Sequence, residues 1–354
     1  MNASGKLQDV IISHQIAVQR YGAGVSREIV KLLNTVDQDL TETIVKRLAM
    51  IDQRGYDLGK ATTARLEKML EEIRVLNAAV YSKVGDKLEE ELTAFGQYEF
   101  EFHAEKLQSV IPAILVAKVP PTPMLKAIVT ERPFQGVLLK DWVSGMEAAR
   151  ADRIEAAIKI GMVEGQTLDQ IVRRIRGTVA AKFADGILMI SRRSAQTLVR
   201  TSINHVATQA REETYSANSD LISGVRWVST LDGRTSPVCR ARDGKIYETG
   251  VGPRPPAHLG CRSTTIPILK SWRELGIDAD EASPGIRASM DGAVPSNTTY
   301  ADFLKRKGSA FQDEVMGKAK AEAFRKGMPL DGFVDGSGKE YNLDQLRRLN
   351  PEFF

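Results

Sequence analysis

One apolar stripe limits this chain more than any other feature. Leu66, Leu70, Ile73, Leu76, Val80, Val84, Leu88, Leu92 and Phe95 recur at steps of three or four, while Glu71, Glu72, Lys83, Asp86, Glu89 and Glu90 take the other positions. That spacing draws one line along a single long helix, and the line must be covered by a neighbouring helix or by another subunit. Shorter stretches of the same texture around Val10–Leu33 and Leu40–Ile51 offer partners within the chain for a helical hairpin. The second reading makes residues 1–119 a helical assembly region whose stripe meets another protein.

The helical texture breaks at Val119-Pro120-Pro121-Thr122-Pro123, where prolines remove donors and push their predecessors into extended backbone. A linker is therefore placed at 120–133. Helices resume from 134 to 216. Within them Thr167 reads as an N-cap, Gln170 completes a capping box, and Gly177 closes the helix carrying Ile171 and Ile175. From 224 to 269 the pattern changes to short strands and turns. Val225–Ser229 alternates, Asp232-Gly233 and Asp243-Gly244 mark turns, Lys245–Glu248 is a second strand, and Thr264–Ile268 is a third. The tail, 271–354, reads as polar linker over Ala279–Thr298, a helix near Tyr300–Phe324 and a short helix from Leu343 to Leu349. The expected class is α+β and predominantly α-helical: long N-terminal helices, a central helical segment joined to a small turn-rich β module, and a partly helical tail.

Charge separates the regions more than composition does. The net charge is +4, but residues 151–270 hold 18 Lys and Arg against 11 Asp and Glu, while the flanks are balanced. Arg192, Arg193, Arg200, Arg226, Arg234, Arg240 and Arg262 are the candidates for a face that meets nucleic acid or an acidic partner; a solvated surface accounts for the same surplus. No apolar run approaches the length of a membrane span, and Met1–Lys6 leads into polar sequence without a signal-like core, so no membrane partner is expected.

Chemistry concentrates in the β module. His258 and Cys261 lie three residues apart, and Cys239 precedes them, giving three soft ligands of the kind that hold Zn²⁺ in turn-rich segments. A fourth ligand would come from a carboxylate such as Asp232 or from water. The same cysteines also read as small buried hydrophobes, or as a pair that can oxidise outside a cell. Asp232, Asp243 and Glu248 outline a carboxylate site for metal-dependent phosphodiester chemistry, though the two aspartates each precede a turn glycine. His205, mid-helix, reads as a hydrogen-bonded helix histidine. No phosphate-binding loop, nucleophile elbow or His-Glu-x-x-His is present, so enzymatic activity is not expected.

Several segments, in order, resemble the head-morphogenesis domain of tailed bacteriophages, the Mu F-like minor head proteins. They are Glu164–Thr167, Ile171–Ile175, Leu198–Thr201, Gly224–Val228, Asp232–Thr235, Cys239, Asp243–Lys245 and, most distinctive, Pro255-Pro256-Ala257-His258-Leu259-Gly260-Cys261-Arg262. The likeness covers roughly 150–270 and assigns 134–270 to that domain. In the tail, Tyr300–Leu304, Phe311–Val315 and Leu343-Asp344 are also similar to minor head proteins. Where members carry further cysteines this chain has Ser236 and Ser263, so a complete cysteine-rich cluster is not expected. The resemblance implies a minor capsid protein found in the virion. It would be incorporated in the host cytoplasm with portal, major capsid or scaffolding protein, and would be placed to contact packaged DNA. The alternative is a phage-encoded, metal-dependent enzyme acting on nucleic acid.

Overall fold

The computed structural model describes residues 3–52, 60–111, 115–271, 273–276 and 285–354. Its class is predominantly α with small antiparallel sheets, as the periodicities require. Two helices of extreme length open the chain, α1 (Ala3–Asp52) and α2 (Lys60–Gln108). The N-terminal patterns that read as separate segments are thus one continuous helix. Nothing between Leu33 and Leu40 breaks it, because Asn34 to Asp39 contains neither Gly nor Pro.

Next come α3 (Pro123–Thr130), α4 (Leu139–Val163), α5 (Leu168–Arg176) and α6 (Ile187–Ala217). Residues 120–133 are therefore more than a linker. Pro123 stands at the first position of a helix, where its missing N–H is no loss. Thr167 and Gln170 form the capping box, and Gly177 ends α5 at φ 95°.

By internal contacts the chain forms two compact units, each discontinuous in sequence. One comprises Met1–Gln19, Phe95–Leu125 and Asn204–Phe354; the other comprises Arg20–Ala94 and Lys126–Ile203. The helices α1, α2 and α6 each contribute a stretch to both.

In the all-helical unit the stripe is covered by the chain itself. Met69, Leu70 and Ile73 of α2 share a core with Leu40, Ile44 and Leu48 of α1, Ile154, Ile158 and Met162 of α4, Ile171 and Ile175 of α5, and Leu188 of α6. Val80, Val84, Leu88 and Leu92 further along are also buried. The stripe is consequently not a surface awaiting a second protein, which corrects the reading of it as the assembly contact. Polar anchors complete this core. Asp37 accepts from buried Arg150 at 2.6 Å and from Arg192 at 2.5 Å, and Asn77 Nδ2 donates to the Glu147 carbonyl at 2.9 Å.

The mixed unit holds a three-stranded antiparallel sheet in the order β2 (Ile246–Tyr247), β1 (Ile222–Val228), β3 (Thr264–Leu269). Val225 pairs with Tyr247 on one side, and Trp227 pairs with Thr265 on the other. One core packs Leu7, Ile11 and Leu107 against Tyr215, Val225, Ile266 and Leu269. Between the first two strands lies α7 (Pro237–Arg242), which carries Cys239 on a helical turn.

The stretch read as polar linker, Ala279–Thr298, contains a hairpin of β4 (Ile286–Ser289) and β5 (Gly292–Pro295); residues 279–284 lie outside the described residues. The single tail helix near 300–324 is three: α8 (Tyr300–Lys305), α9 (Ser309–Met316) and α10 (Lys318–Arg325). Gly308 and Gly317 interrupt it, the latter at φ 78°. A 3₁₀ turn (Leu330–Phe333) and α11 (Leu343–Leu349) end the chain, and Tyr300, Phe303, Phe324 and Leu346 share a core with Leu231.

Candidate metal centre and its surroundings

The module brings Cys239, His258 and Cys261 together. One ligand atom from each lies within 4.8 Å of the others. Cys239 is presented by α7, whose first turn is set by Ser236 and Pro237; His258 and Cys261 come from the tight loop before β3, where Gly260 takes φ 71°. The sulfurs are 3.7 Å apart, and Cys239 Sγ is 3.5 Å from His258 Nε2. His258 Nδ1 faces the Leu259 carbonyl at 2.9 Å. With Nδ1–H donating there, Nε2 is left as the lone-pair nitrogen turned toward the thiols. Both cysteines are 2% exposed and pack against Trp227.

The two thiols share their acidity unequally. The hydrogen bond from Cys239, helped against burial by His258, holds Cys261 well below the ordinary thiol range. Cys239 is driven upward by that same partner and by burial. His258 is raised, chiefly by its bond to Cys261 and despite desolvation.

These donors fit Zn²⁺. With Zn–S of ~2.3 Å and Zn–N of ~2.0 Å, a tetrahedron has S···S edges of about 3.8 Å and S···N edges of about 3.5 Å. The observed spacings match both. Asp232 is engaged by Arg262, both its oxygens accepting from the guanidinium, at 2.6 and 2.8 Å. Ser236 is the nearest hydroxyl, its Oγ 2.8 Å from His258 Nε2. Ser263 hydrogen-bonds Ser229 Oγ at 3.1 Å.

The carboxylates of the nuclease reading do not form a site. Asp243 is buried and acts as an internal clamp. It accepts from the Ser229 N–H (2.6 Å), the Tyr300 N–H (2.6 Å) and both terminal nitrogens of Arg287 (2.7 and 3.0 Å). Arg262 holds Asp232, and Glu248 is exposed at the end of β2.

The arginines divide between the two units. Arg192, bound to Asp37, and the exposed Arg193 and Arg200 belong to the helical unit. In the mixed unit Arg240 donates to the Thr235 carbonyl at 2.6 Å and lies over the Tyr300 ring, and Arg262 is paired. Arg226 is half-buried on the central strand. Arg234 is largely exposed.

Sequence reading missed a second buried cluster. His14 of α1 donates to Glu99 of α2 at 2.5 Å and stacks on Phe102, and Arg211 of α6 donates to His103 Nε2 at 3.3 Å. Burial, reinforced by the Arg211 charge and opposed by Glu99, pulls His103 down to about 4. Glu99 would be raised by its burial, but the two histidines outweigh that and bring it to about 2. The i, i+4 spacing of Glu99 and His103 was legible; that both face inward was not. His205 is also buried in α6.

No helix among the described residues is long and apolar enough to cross a membrane. No curated protein and no solved structure matches the chain. A family profile does: residues 152–266 match Phage Mu protein F like protein, which spans the end of α4, all of α5 and α6, the cysteine–histidine cluster and most of β3. Over residues 152–266 the chain is similar to that family.

Proposed function

We propose that the protein is a head-morphogenesis component of a tailed bacteriophage, built into the procapsid with the portal and retained in the virion. The match over residues 152–266 carries this reading. The architecture supports it, since the candidate polar groups of the β module serve mostly as internal ties. Contact with portal, shell or scaffold falls to exposed surface rather than to the stripe of α2. Arg193 and Arg200, exposed on α6, supply a contact to packaged DNA, which rests on counterion release and weakens steeply with salt. Proteomic analysis of purified procapsids and mature virions tests the reading. Expected is a low-copy protein present with the portal in both; absence from both overturns it.

The metal is the second part of the proposal. Cys239, His258 and Cys261 hold one Zn²⁺, with solvent or the Ser236 hydroxyl completing the shell. The ion supplies a cross-link between α7 and the loop before β3 rather than a reaction. Reduced, purified protein is expected to contain close to one equivalent of zinc, and chelation to lower its melting temperature. Cys261→Ser should abolish both effects. Metal-free protein whose melting ignores the chelator would show instead a packed pair of thiols.

A further inference from the structure

A second feature of the mixed unit has no role in the proposal above. A cavity of about 320 Å³ lies between α1 and the sheet end, walled by Ile12, Ile16 and Val228 and reaching Ala288 of β4. Ile16 is 45% exposed. Three arginines line the cavity, and their states differ. Arg287 is buried at 4% exposure and fully engaged by Asp243 and by the carbonyls of Thr298 and Ser229. Arg262 is committed to Asp232. Arg234 is 84% exposed, and its nearest carboxylate oxygen, on Asp232, is 3.9 Å away. It is the cation at this cavity without a close partner among the described residues.

Gln15 adds an independent demand. It lines the cavity and is 6% exposed; its Nε2 donates to Asn204 Oδ1 at 3.3 Å, while Oε1 has no partner among the described residues. A buried acceptor left so is costly until an N–H meets it.

We propose that this cavity binds an acidic, apolar peptide segment of a protein partner. Its aliphatic side chain fills the Ile12–Ile16–Val228 wall, its carboxylate pairs with Arg234, and an amide N–H serves Gln15. Each demand matches one part of such a segment, and apolar anchoring beside a charged rim is how peptide clefts combine affinity with selectivity. A duplex matches less well. It needs a row of uncommitted cations along a track and offers nothing to an aliphatic wall. The inference stands on the cavity alone and holds whether or not the chain is a head protein.

A peptide array probed with the full chain tests it. Wild type is expected to select sequences with Asp or Glu beside Leu, Ile, Val or Phe. Arg234→Glu should weaken the best of these by about tenfold or more and move selection toward Lys and Arg. Ile16→Glu, at an exposed position, should weaken binding without altering the melting curve. The proposal is overturned if wild type and Arg234→Glu select the same peptides, or if no acidic–apolar selection appears. It is equally overturned if duplex DNA binds in an Arg234-dependent manner and displaces the selected peptide.

Discussion

Asp243 shows how much of the mixed unit can hang on one side chain. Its two oxygens are shared among two backbone N–H groups and the buried Arg287, tying the end of β1, the β4 strand and the start of α8. Asp243→Asn keeps the shape but leaves the guanidinium uncompensated in low dielectric. A loss of about 3–5 kcal/mol is expected in urea unfolding, with little change in secondary structure beforehand. His103 makes the second residue-scale prediction. Its folded value near 4 lies below the ordinary 6.5, so the folded state favours the neutral ring. That preference contributes stability that is fully present above about pH 6.5 and is lost as pH falls toward 4. Melting temperature should fall through this window, and His103→Gln should flatten the fall. An unchanged pH profile in the variant would mean that other groups control it.

Among the elements, the junction of α5 and α6 is the least forgiving. A Cβ on Gly186 would lie 2.4 Å from both the Arg176 carbonyl carbon and the Gly177 nitrogen. Backbone cannot yield as a side chain does, so Gly186→Ala should cost about 3 kcal/mol or more and shift the thermal midpoint accordingly. The sequence made some of these elements legible and hid others, for physical reasons. The α5 caps were readable because a capping box is local, from Thr167 to Gln170. The hairpin at 286–295 was not. Arg287 is its inward-facing residue, and an arginine in a four-residue strand reads as polar loop until its partner Asp243 is known. Likewise Cys239, His258 and Cys261 could be named as ligands from their types. Their convergence depends on the pairing of β1 with β3, which no local pattern states.

At the scale of the whole molecule, the family match does not coincide with a folding unit. Residues 152–203 belong to the helical unit and 204–266 to the mixed one, and each unit takes helices from outside the match. A chain beginning at residue 134 would lose Leu40, Ile44, Leu48, Met69, Leu70 and Ile73 from the helical core, and Leu7, Ile11 and Leu107 from the other. Such a truncation should lack a cooperative melt and expose apolar surface to a hydrophobic dye. A sharp transition like that of the full chain would show that the domain folds alone. The same arrangement carries a consequence for biosynthesis. Leu7 and Ile11 leave the ribosome about 260 residues before Leu269, yet they share a core with it. At ~5–20 residues per second the amphipathic face of α1 waits on the order of tens of seconds for its cover. Nascent chains are therefore vulnerable from the moment α1 emerges, and the protein's yield in a cell will depend on what shelters that face during translation.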